Sequence, residues 1–408
     1  MDWVRCGVVA GLVVSGGACR ERAMAVQREA SVRDLVRQLR AQAESVTGLR
    51  FKRDVVVLQR SRLQVRDYVI HKFDADVPPA DLAGAEAAYK LFGLIPDSMD
   101  LRAVMVDLLT EQVAGYYEPD SGALFIPTDL DDPFRVRLVA SHELLHALQD
   151  QYLSLDSIIN QRRRNDRRSA AQAVLEGQAT FYQVPMLMPE QQPETLPPHW
   201  FWRQREAMAL QQAEMPQLAR APMWLRETLI FPYLAGADFI GWFVRNHRGQ
   251  EPYAALMPVS TEQIIHPDRY AAGDEPIDLH FAGSNPDTVR YEDNLGEFEI
   301  GLLFTQLLHD SSESAGPALA QGWGGDRYRV YGKDAGALVW FTVWDDAAAR
   351  DRFARALESA WIVRPAGATA RRHSLTSLTI DGHPGVRLVD APTGWVGWRA
   401  LPEAKVTK

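Results

Sequence analysis

The feature that most constrains this chain is a short run in which His142, Glu143 and His146 follow one another. On an α-helix, residues four apart lie on one face, so the two imidazoles can bind the same metal ion. Glu143 projects beside that face, where its carboxylate can reach a water molecule on the metal without being a ligand itself. The run therefore favours a fold that places this helix at the wall of a metal site.

The residues around this run predict that it is helical. Asp132 is a favourable N-cap, and Pro133 suits the first helical position. Neither Gly nor Pro interrupts residues 134–152. Apolar side chains follow at helical spacing, namely Leu138, Val139, Leu145 and Leu148. We predict a helix here; the alternative to a metal site is a buried helix that carries two structural histidines.

A zinc site needs a third protein ligand, and Glu176 is the best candidate. It lies thirty residues after His146. The polar segment 160–168 predicts a loop, and Ser169 to Gln183 predicts a second helix that can fold back against the first. Small residues in this helix permit close approach of another backbone: Ala173, Gly177 and Ala179. The alternative is a glutamate on a solvated helix face.

Together these residues resemble the gluzincins, the thermolysin-type group of zinc metallopeptidases. The gap before Glu176 is longer than in thermolysin itself. Several stretches also resemble bacterial exported proteins with predicted metallopeptidase character: residues 111–117, 142–151, 175–180, 260–267 and 322–328. The resemblance implies Zn²⁺ held by His142, His146 and Glu176, with Glu143 as the general base.

Residues 116–126 predict a β-hairpin just before the metal helix. Tyr116 to Glu118 and Ala123 to Ile126 form the strands, with Pro119 to Gly122 as the turn. In zincin folds, a strand before the zinc helix lies along the cleft, and its free edge can pair with an extended peptide. We assign that role to one strand of this hairpin; plain sheet core is the alternative.

A further segment with candidate functional residues lies at 260–267 and contains Glu262 and His266. The resemblance implies a His or Tyr donor that stabilises the oxyanion formed when water attacks the carbonyl. We predict His266 for this role, with Glu262 orienting it if the segment is helical. The alternatives are a structural histidine that caps a turn, or Tyr116 or Tyr117 as the donor.

The length of 408 residues predicts two domains, or one large domain with an appendage, and the pattern of helices and strands predicts an α+β fold. The 408 residues are 46% hydrophobic and 24% charged, which is ordinary for a globular protein with a sizeable core. We predict a mostly helical, zincin-like catalytic domain with a small β-hairpin or sheet at 49–311. A small α+β layer follows at 312–408, with the pattern of two strands, a helix and two more strands. The net charge of −9 argues against nucleic acid as a partner.

The N-terminus has the pattern of an export signal at residues 1–19. Arg5 precedes an apolar stretch, Gly7 to Ala18, which is too short to span a bilayer as a permanent helix. Cys19 follows two small residues, as in a bacterial lipoprotein signal. We predict a lipid anchor at Cys19, with residues 20–48 as a helix or tether. Simple secretion and no export are the alternatives.

The function predicted from these observations is an exported zinc metallopeptidase of the bacterial cell envelope, acting on peptide or protein substrates. Asp150 and Asp166 are candidates to accept hydrogen bonds from the metal-binding imidazoles, and a solvated Asp150 is the alternative. Two other classes compete: a cell-envelope zinc-binding protein without catalysis, and a zinc amidase acting on peptidoglycan peptide cross-links. An intact Glu143 favours catalysis, because a structural site needs no general base.

Overall fold

Helices and strands are mixed along the chain and give an α+β fold, as predicted. The structure, a computed structural model, describes residues 7–8, 18–155, 163–205, 215–309, 314–333, 336–362 and 370–407. The predicted signal peptide at 1–19 lies mostly outside the described residues. None of the helices described has both the length and the apolar character needed to cross a bilayer.

The first part of the chain forms helices around a small four-stranded sheet. The helices are α1 (Ala18–Thr47), α2 (Arg62–Asp76), α3 (Pro79–Phe92), α4 (Leu101–Gln112) and α5 (Pro133–Gln149). The strands are β1 (Gly7–Val8), β2 (Val56–Arg60), β3 (Val113–Glu118) and β4 (Ala123–Pro127). Their order in the sheet is β1-β3-β4-β2.

The strands β3 and β4 form the predicted hairpin, and Gly122 takes a positive φ of 62° in its turn. β4 also pairs in parallel with β2, so both of its edges are used. Among the described residues, the outer edge of β3 pairs with β1 at Val113 and Gly115. The sheet shares a buried apolar core with α1 and α5. This core places the hairpin directly against the helix that carries His142 and His146.

Two long helices follow and cross at a pair of glycines. They are α6 (Asn165–Leu187) and α9 (Met223–Asn246), with the short helices α7 (Trp200–Arg203) and α8 (Pro216–Arg220) between them. A Cβ built on Gly177 would lie 2.1 Å from the carbonyl carbon of Gly236, so glycine is required at this crossing. The close backbone approach predicted around Gly177 is confirmed, and its partner is α9.

The bounds of these helices differ from those expected. α6 takes up the last residues of the loop predicted over 160–168. The segment 185–199, rich in Pro, Glu and Gln, predicts a second loop, and α6 extends into it as far as Leu187. Residues 160–162 lie outside the described part of the chain. The sequence pattern also predicts a helix over about 200–215, and its residues 206–214 lie outside the described part as well. Helix ends depend on packing as well as on local signals, which is why pattern alone misplaces them.

The C-terminal part is built on an antiparallel sheet of five strands. Its elements are α10 (Thr261–Ile265), α11 (Pro267–Ala272), β5 (Leu279–Ala282), β6 (Val289–Asp293), α12 (Gly296–Leu307), α13 (Ala315–Ala320), β7 (Trp323–Tyr331), β8 (Ala337–Trp344), α14 (Ala347–Ile362), β9 (Arg371–Ile380), β10 (His383–Pro392) and β11 (Glu403–Val406). The sheet order is β6-β7-β8-β10-β9, and β5 pairs with β11. The predicted pattern of two strands, a helix and two strands is confirmed by β7 to β10. β6, which precedes residue 312, adds the fifth strand.

Polar contacts anchor the start of α6 to this C-terminal part. The backbone N–H of Asn165 donates to Oδ1 of Asp293, at the end of β6, at 2.9 Å. Asp166 accepts hydrogen bonds from the backbone and the side chain of Thr261. The helix that carries Glu176 is therefore held by residues that lie 128 and 95 positions further along the chain.

Candidate metal centre

The helix α5 presents both histidines of the motif from a single face. Its N-cap is Asp132, whose carboxylate accepts the backbone N–H of Phe134 at 2.9 Å, and Pro133 lies in its first turn. The Nε2 atoms of His142 and His146 lie 3.1 Å apart. The predicted helix and its N-cap are confirmed.

Glu176 completes a triangle of ligand atoms. Its Oε2 lies 3.1 Å from Nε2 of His142 and 3.2 Å from Nε2 of His146. Ligand atoms about 2.0–2.1 Å from a tetrahedral ion stand about 3.3 Å from one another, so the triangle has the dimensions of a metal site. All three side chains are buried. This His–His–Glu group could hold a metal ion.

The charges of these side chains are coupled. Burial opposes the charged forms of Glu176 and His146, but their mutual contact outweighs it. The contact lowers the pKa of Glu176 and raises the pKa of His146. An imidazole must be neutral to bind a metal ion, so metal binding at His146, whose pKa is raised, has to displace a proton. The affinity of the group for a metal is therefore expected to fall as the pH decreases.

Glu143 is held beside the ligand group by one of its two oxygens. Its Oε2 accepts the backbone N–H of Tyr117, in β3, at 2.9 Å. Its Oε1 is buried and has no hydrogen-bond partner among the residues that the structure describes. Burial raises the pKa of Glu143, and the two neighbouring histidines partly offset that rise. The second oxygen is thus an acceptor for a molecule that enters the site.

The outer nitrogen of His146 contacts a residue that the sequence reasoning missed. Nδ1 lies 2.8 Å from Oε1 of Gln149, three residues further along α5. The spacing of His146 and Gln149 could have indicated this contact, because residues at i and i+3 share a helix face. The expected acceptors are engaged elsewhere. Asp150 accepts a hydrogen bond from the Tyr117 hydroxyl at 2.9 Å, and Asp166 accepts one from the backbone N–H of Thr261.

A second missed residue is Tyr233 of α9. The centroid of its ring lies 5.8 Å from that of His142, with the two planes 27° apart. Its side chain is half-buried. The crossing of Gly177 and Gly236 produces this contact, because it draws α9 against the helix that carries Glu176. No local spacing connects Tyr233 to the histidine motif, so only the fold reveals it.

Both tyrosines of the hairpin use their hydroxyls elsewhere. The hydroxyl of Tyr116 accepts a hydrogen bond from Arg60, within the small sheet. That of Tyr117 donates to Asp150, beyond the end of α5. Tyr233 is therefore the tyrosine of these three whose ring stacks on a side chain of the ligand group.

His266 lies on the other side of α9. Its Nε2 is 3.0 Å from Oε1 of Glu297, so Glu297 orients the ring rather than the expected Glu262. It lines a cavity of about 530 Å³ together with Phe231. Tyr233 is two residues beyond Phe231, about 200° further around the helix. The structure does not bring His266 together with the ligand group, so the geometry lends no support to its predicted oxyanion role.

Comparisons with known proteins gave a match to a family model and a likeness to a solved structure. The model of a family described as a domain of unknown function (DUF8575) matches residues 287–392, which span β6 to β10. A solved structure from Chloroflexus aurantiacus, classed provisionally as a hydrolase with a novel fold, is similar at 16% identity and a TM-score of 0.39. The similarity covers 60% of this chain and 89% of that one. No curated protein matches the chain significantly.

Proposed function

We propose that this chain is a zinc-dependent hydrolase that cleaves peptide bonds, with Glu143 as its general base. The observation that supports this most is the buried His–His–Glu group with an oxygen of Glu143 left unpartnered by the described residues beside it. Two imidazoles and a carboxylate at tetrahedral spacing suit Zn²⁺. Three protein ligands leave one position open, which is characteristic of catalytic rather than structural zinc sites.

Bound Zn²⁺ would lower the pKa of a water molecule towards about 7 and polarise the carbonyl of the substrate. Proton transfer is carried out by a side chain of the protein, that of Glu143. Oε1 of Glu143 accepts the proton of the attacking water, while the N–H of Tyr117 holds Oε2 in place. The raised pKa of Glu143 suits this exchange, because the carboxyl group must also give the proton up to the leaving amine.

We assign stabilisation of the oxyanion to Tyr233 in place of His266. The assignment rests on the contact between the Tyr233 and His142 rings. A tyrosine hydroxyl is a neutral donor that can stabilise negative charge as it develops on the carbonyl oxygen. Its half-buried position leaves part of the side chain accessible to a substrate.

We also propose that the chain is exported to the bacterial cell envelope and anchored by lipid at Cys19. The support is the apolar stretch from Gly7 to Ala18 and the small residues that precede Cys19. Peptide or protein substrates outside the cytoplasm would then be its partners.

The test combines metal analysis with an unbiased peptide-library digest of the purified protein. Wild type is compared with Glu143→Ala, and with wild type stripped by a chelator and then resupplied with zinc. We expect about one zinc per chain, and cleavage that disappears in the variant and returns on resupply. Zinc binding without cleavage would favour the binding protein, and cleavage confined to peptidoglycan cross-links would favour the amidase. Cleavage by a chain that lacks zinc would contradict the proposal.

A further inference from the structure

Two glutamines, one from each motif helix, contact each other next to the ligand group. Gln149 follows His146 by three residues on α5, and Gln178 follows Glu176 by two residues on α6. Both side chains are buried, with 3% and 4% of their surfaces exposed. Nε2 of Gln149 donates to Oε1 of Gln178 at 2.8 Å. The proposed reaction assigns no role to either glutamine.

The contacts of Gln149 fix which way its amide points. Nε2 of His146 faces the other ligand atoms, so a neutral, metal-binding His146 carries its proton on Nδ1. Oε1 of Gln149 must accept that proton, at 2.8 Å. Its amide nitrogen then has two protons to donate, and two acceptors are in place. They are Oε1 of Gln178, at 2.8 Å, and the carbonyl of Leu175, at 2.9 Å.

The chain of hydrogen bonds continues from Gln178 to a carboxylate. Oε1 of Gln178 also accepts the hydroxyl of Tyr253, so its amide nitrogen is left to donate. That nitrogen lies 2.6 Å from Oε2 of Glu251. Every bond donates in the same direction, from His146 towards Glu251, because each glutamine accepts with its amide oxygen and donates with its amide nitrogen. The chain joins α5, α6 and the segment after α9.

We propose that Gln149 and Gln178 are positioning residues that fix the proton of His146 on Nδ1 and hold the turn of α6 that carries Glu176, with Glu251 as the terminal acceptor. This inference rests on the metal site of the proposed function. Gln149 contacts both sides of that site at once: it binds His146 on one helix and the carbonyl of Leu175, the residue before Glu176, on the other. Partners of this kind orient ligand imidazoles and raise their basicity.

The chain offers a matched control for a merely structural role. Gln183 lies on α6 and also bridges α6 to α5, through the carbonyl of Leu138 and the hydroxyl of Ser141. Neither of these contacts involves a side chain of the ligand group. Gln183→Met therefore removes hydrogen bonds between the same two helices and leaves the surroundings of His146 intact. Methionine has nearly the shape of glutamine, so each replacement leaves the packing largely filled.

The experiment compares wild type with Gln149→Met, Gln178→Met and Gln183→Met. Zinc affinity is measured by competition with a chelator. The ¹⁵N chemical shifts of the His146 ring report which nitrogen carries the proton. Unfolding of the zinc-free chains reports structural cost. We expect Gln149→Met to weaken zinc binding by about 10- to 100-fold and to alter the His146 shifts. Gln178→Met should weaken it less, and Gln183→Met should lower stability with zinc affinity within about twofold of wild type.

Equal zinc affinity in wild type and Gln149→Met would overturn the inference. An equal loss of affinity in Gln183→Met would overturn it too, because the effect would then come from helix packing. A wild-type chain that binds no zinc overturns the inference and the proposed function together. A chain that shows the expected affinities but cleaves no peptide supports the positioning role and removes only the proposed reaction.

Discussion

The backbone N–H of Tyr117 donates a hydrogen bond of 2.9 Å to Oε2 of Glu143. Both residues are 1% exposed, so this bond is shielded from competing water. The donor belongs to the main chain of β3, and the hairpin therefore holds the carboxylate whatever side chain occupies position 117. Oε1 of Glu143 is left as the working oxygen of the proposed base, with no partner among the residues described.

Replacing Glu143 by glutamine should separate metal binding from proton transfer. The amide oxygen of Glu143→Gln can still accept the N–H of Tyr117, so the shape of the site is kept. The variant should retain zinc but lose about 10²- to 10⁴-fold in kcat, because it lacks a base. Zinc analysis and steady-state kinetics on one preparation check this. Undiminished turnover with zinc in place would exclude the proposed role of Glu143.

Removing the hydroxyl of Tyr233 should slow the reaction without releasing the metal. Loss of one oxyanion donor typically lowers kcat by about 10²- to 10³-fold, so we expect Tyr233→Phe to fall in this range. His266→Ala and Tyr117→Phe should leave kcat within about threefold of wild type, because neither side chain contacts the ligand group through its polar atoms. A large loss in His266→Ala alone would restore the role predicted for it from sequence.

Adding a methyl group at the helix crossing should destabilise the protein. In Gly177→Ala the new Cβ would lie 2.1 Å from the carbonyl carbon of Gly236, so α9 must shift away. We expect the free energy of unfolding to fall by about 1–3 kcal/mol or more, as for other overpacked sites, together with a loss of zinc affinity. Thermal and urea unfolding measure the change.

The control for this prediction lies on α9 itself. In Gly241→Ala the nearest atom to the new Cβ is Cε2 of Phe181, a side-chain atom, at 3.2 Å. Because a side chain can shift where a backbone cannot, Gly241→Ala should cost clearly less. Equal costs for the two variants would show that the crossing at Gly177 is not specially tight.

Stability of the zinc-free chain should fall as the pH rises from about 4 to about 7. Burial raises the pKa of Asp166 from 3.8 to about 7, against the opposing hydrogen bonds from Thr261. The folded chain therefore holds a proton that the unfolded chain has lost, and the free energy of unfolding falls between about pH 4 and pH 7. Asp166 alone would account for up to about 4 kcal/mol of this fall.

Asp166→Asn isolates that contribution, since asparagine is neutral throughout. Urea unfolding of both chains at pH 5 and pH 8, with a chelator present, should show a smaller fall in the variant. Groups such as His146 titrate in both chains and cancel in the comparison. Identical falls in the two chains would mean that Asp166 is ionised in the folded protein at pH 5.

The proposed lipid anchor predicts a defined mature N-terminus. Processing before Cys19 with lipid addition should make the native protein partition with membranes, because several acyl chains give stable anchoring. Cys19→Ser should release the protein or block its processing. The intact mass of the native protein shows which residue is the first of the mature chain and whether it carries lipid. The sequence also offers a second cleavage site of the small-x-small type, Ala23-Met24-Ala25. A mature chain that starts at Val26, after this site, or an uncleaved Met1, would rule out the lipoprotein.

The metal helix could be predicted because its signals are local. Asp132, Pro133 and the two histidines four residues apart all act within one helix, and the structure bears out both the helix and the meeting of the histidines. Local signals alone do not identify Glu176, because its position depends on how a second helix packs against the first. The requirement for a third ligand sufficed to single it out, and the structure brings it to both imidazoles.

The residues that escaped prediction are those placed by long-range packing. Tyr233 reaches His142 only because two glycine-bearing helices cross closely. The motif at residues 260–267 predicts a role for His266, but the partner of His266 is Glu297 of α12, on the far side of α9. The strand β6 joins the C-terminal sheet through pairing with β7, which no local pattern in residues 289–293 requires. Sequence periodicity identifies elements and carries little information about their neighbours.

The anchoring of α6 bears on how the protein is made. Asn165 and Asp166 bind residues that leave the ribosome 128 and 95 positions after them. Contacts of such separation form late, because the intervening chain must first be closed into a loop. We therefore expect Glu176 to join the histidines only when synthesis is well advanced. Under the proposed function and export, a nascent chain, or one in transit across a membrane, would carry no assembled metal site and could not cleave the proteins around it.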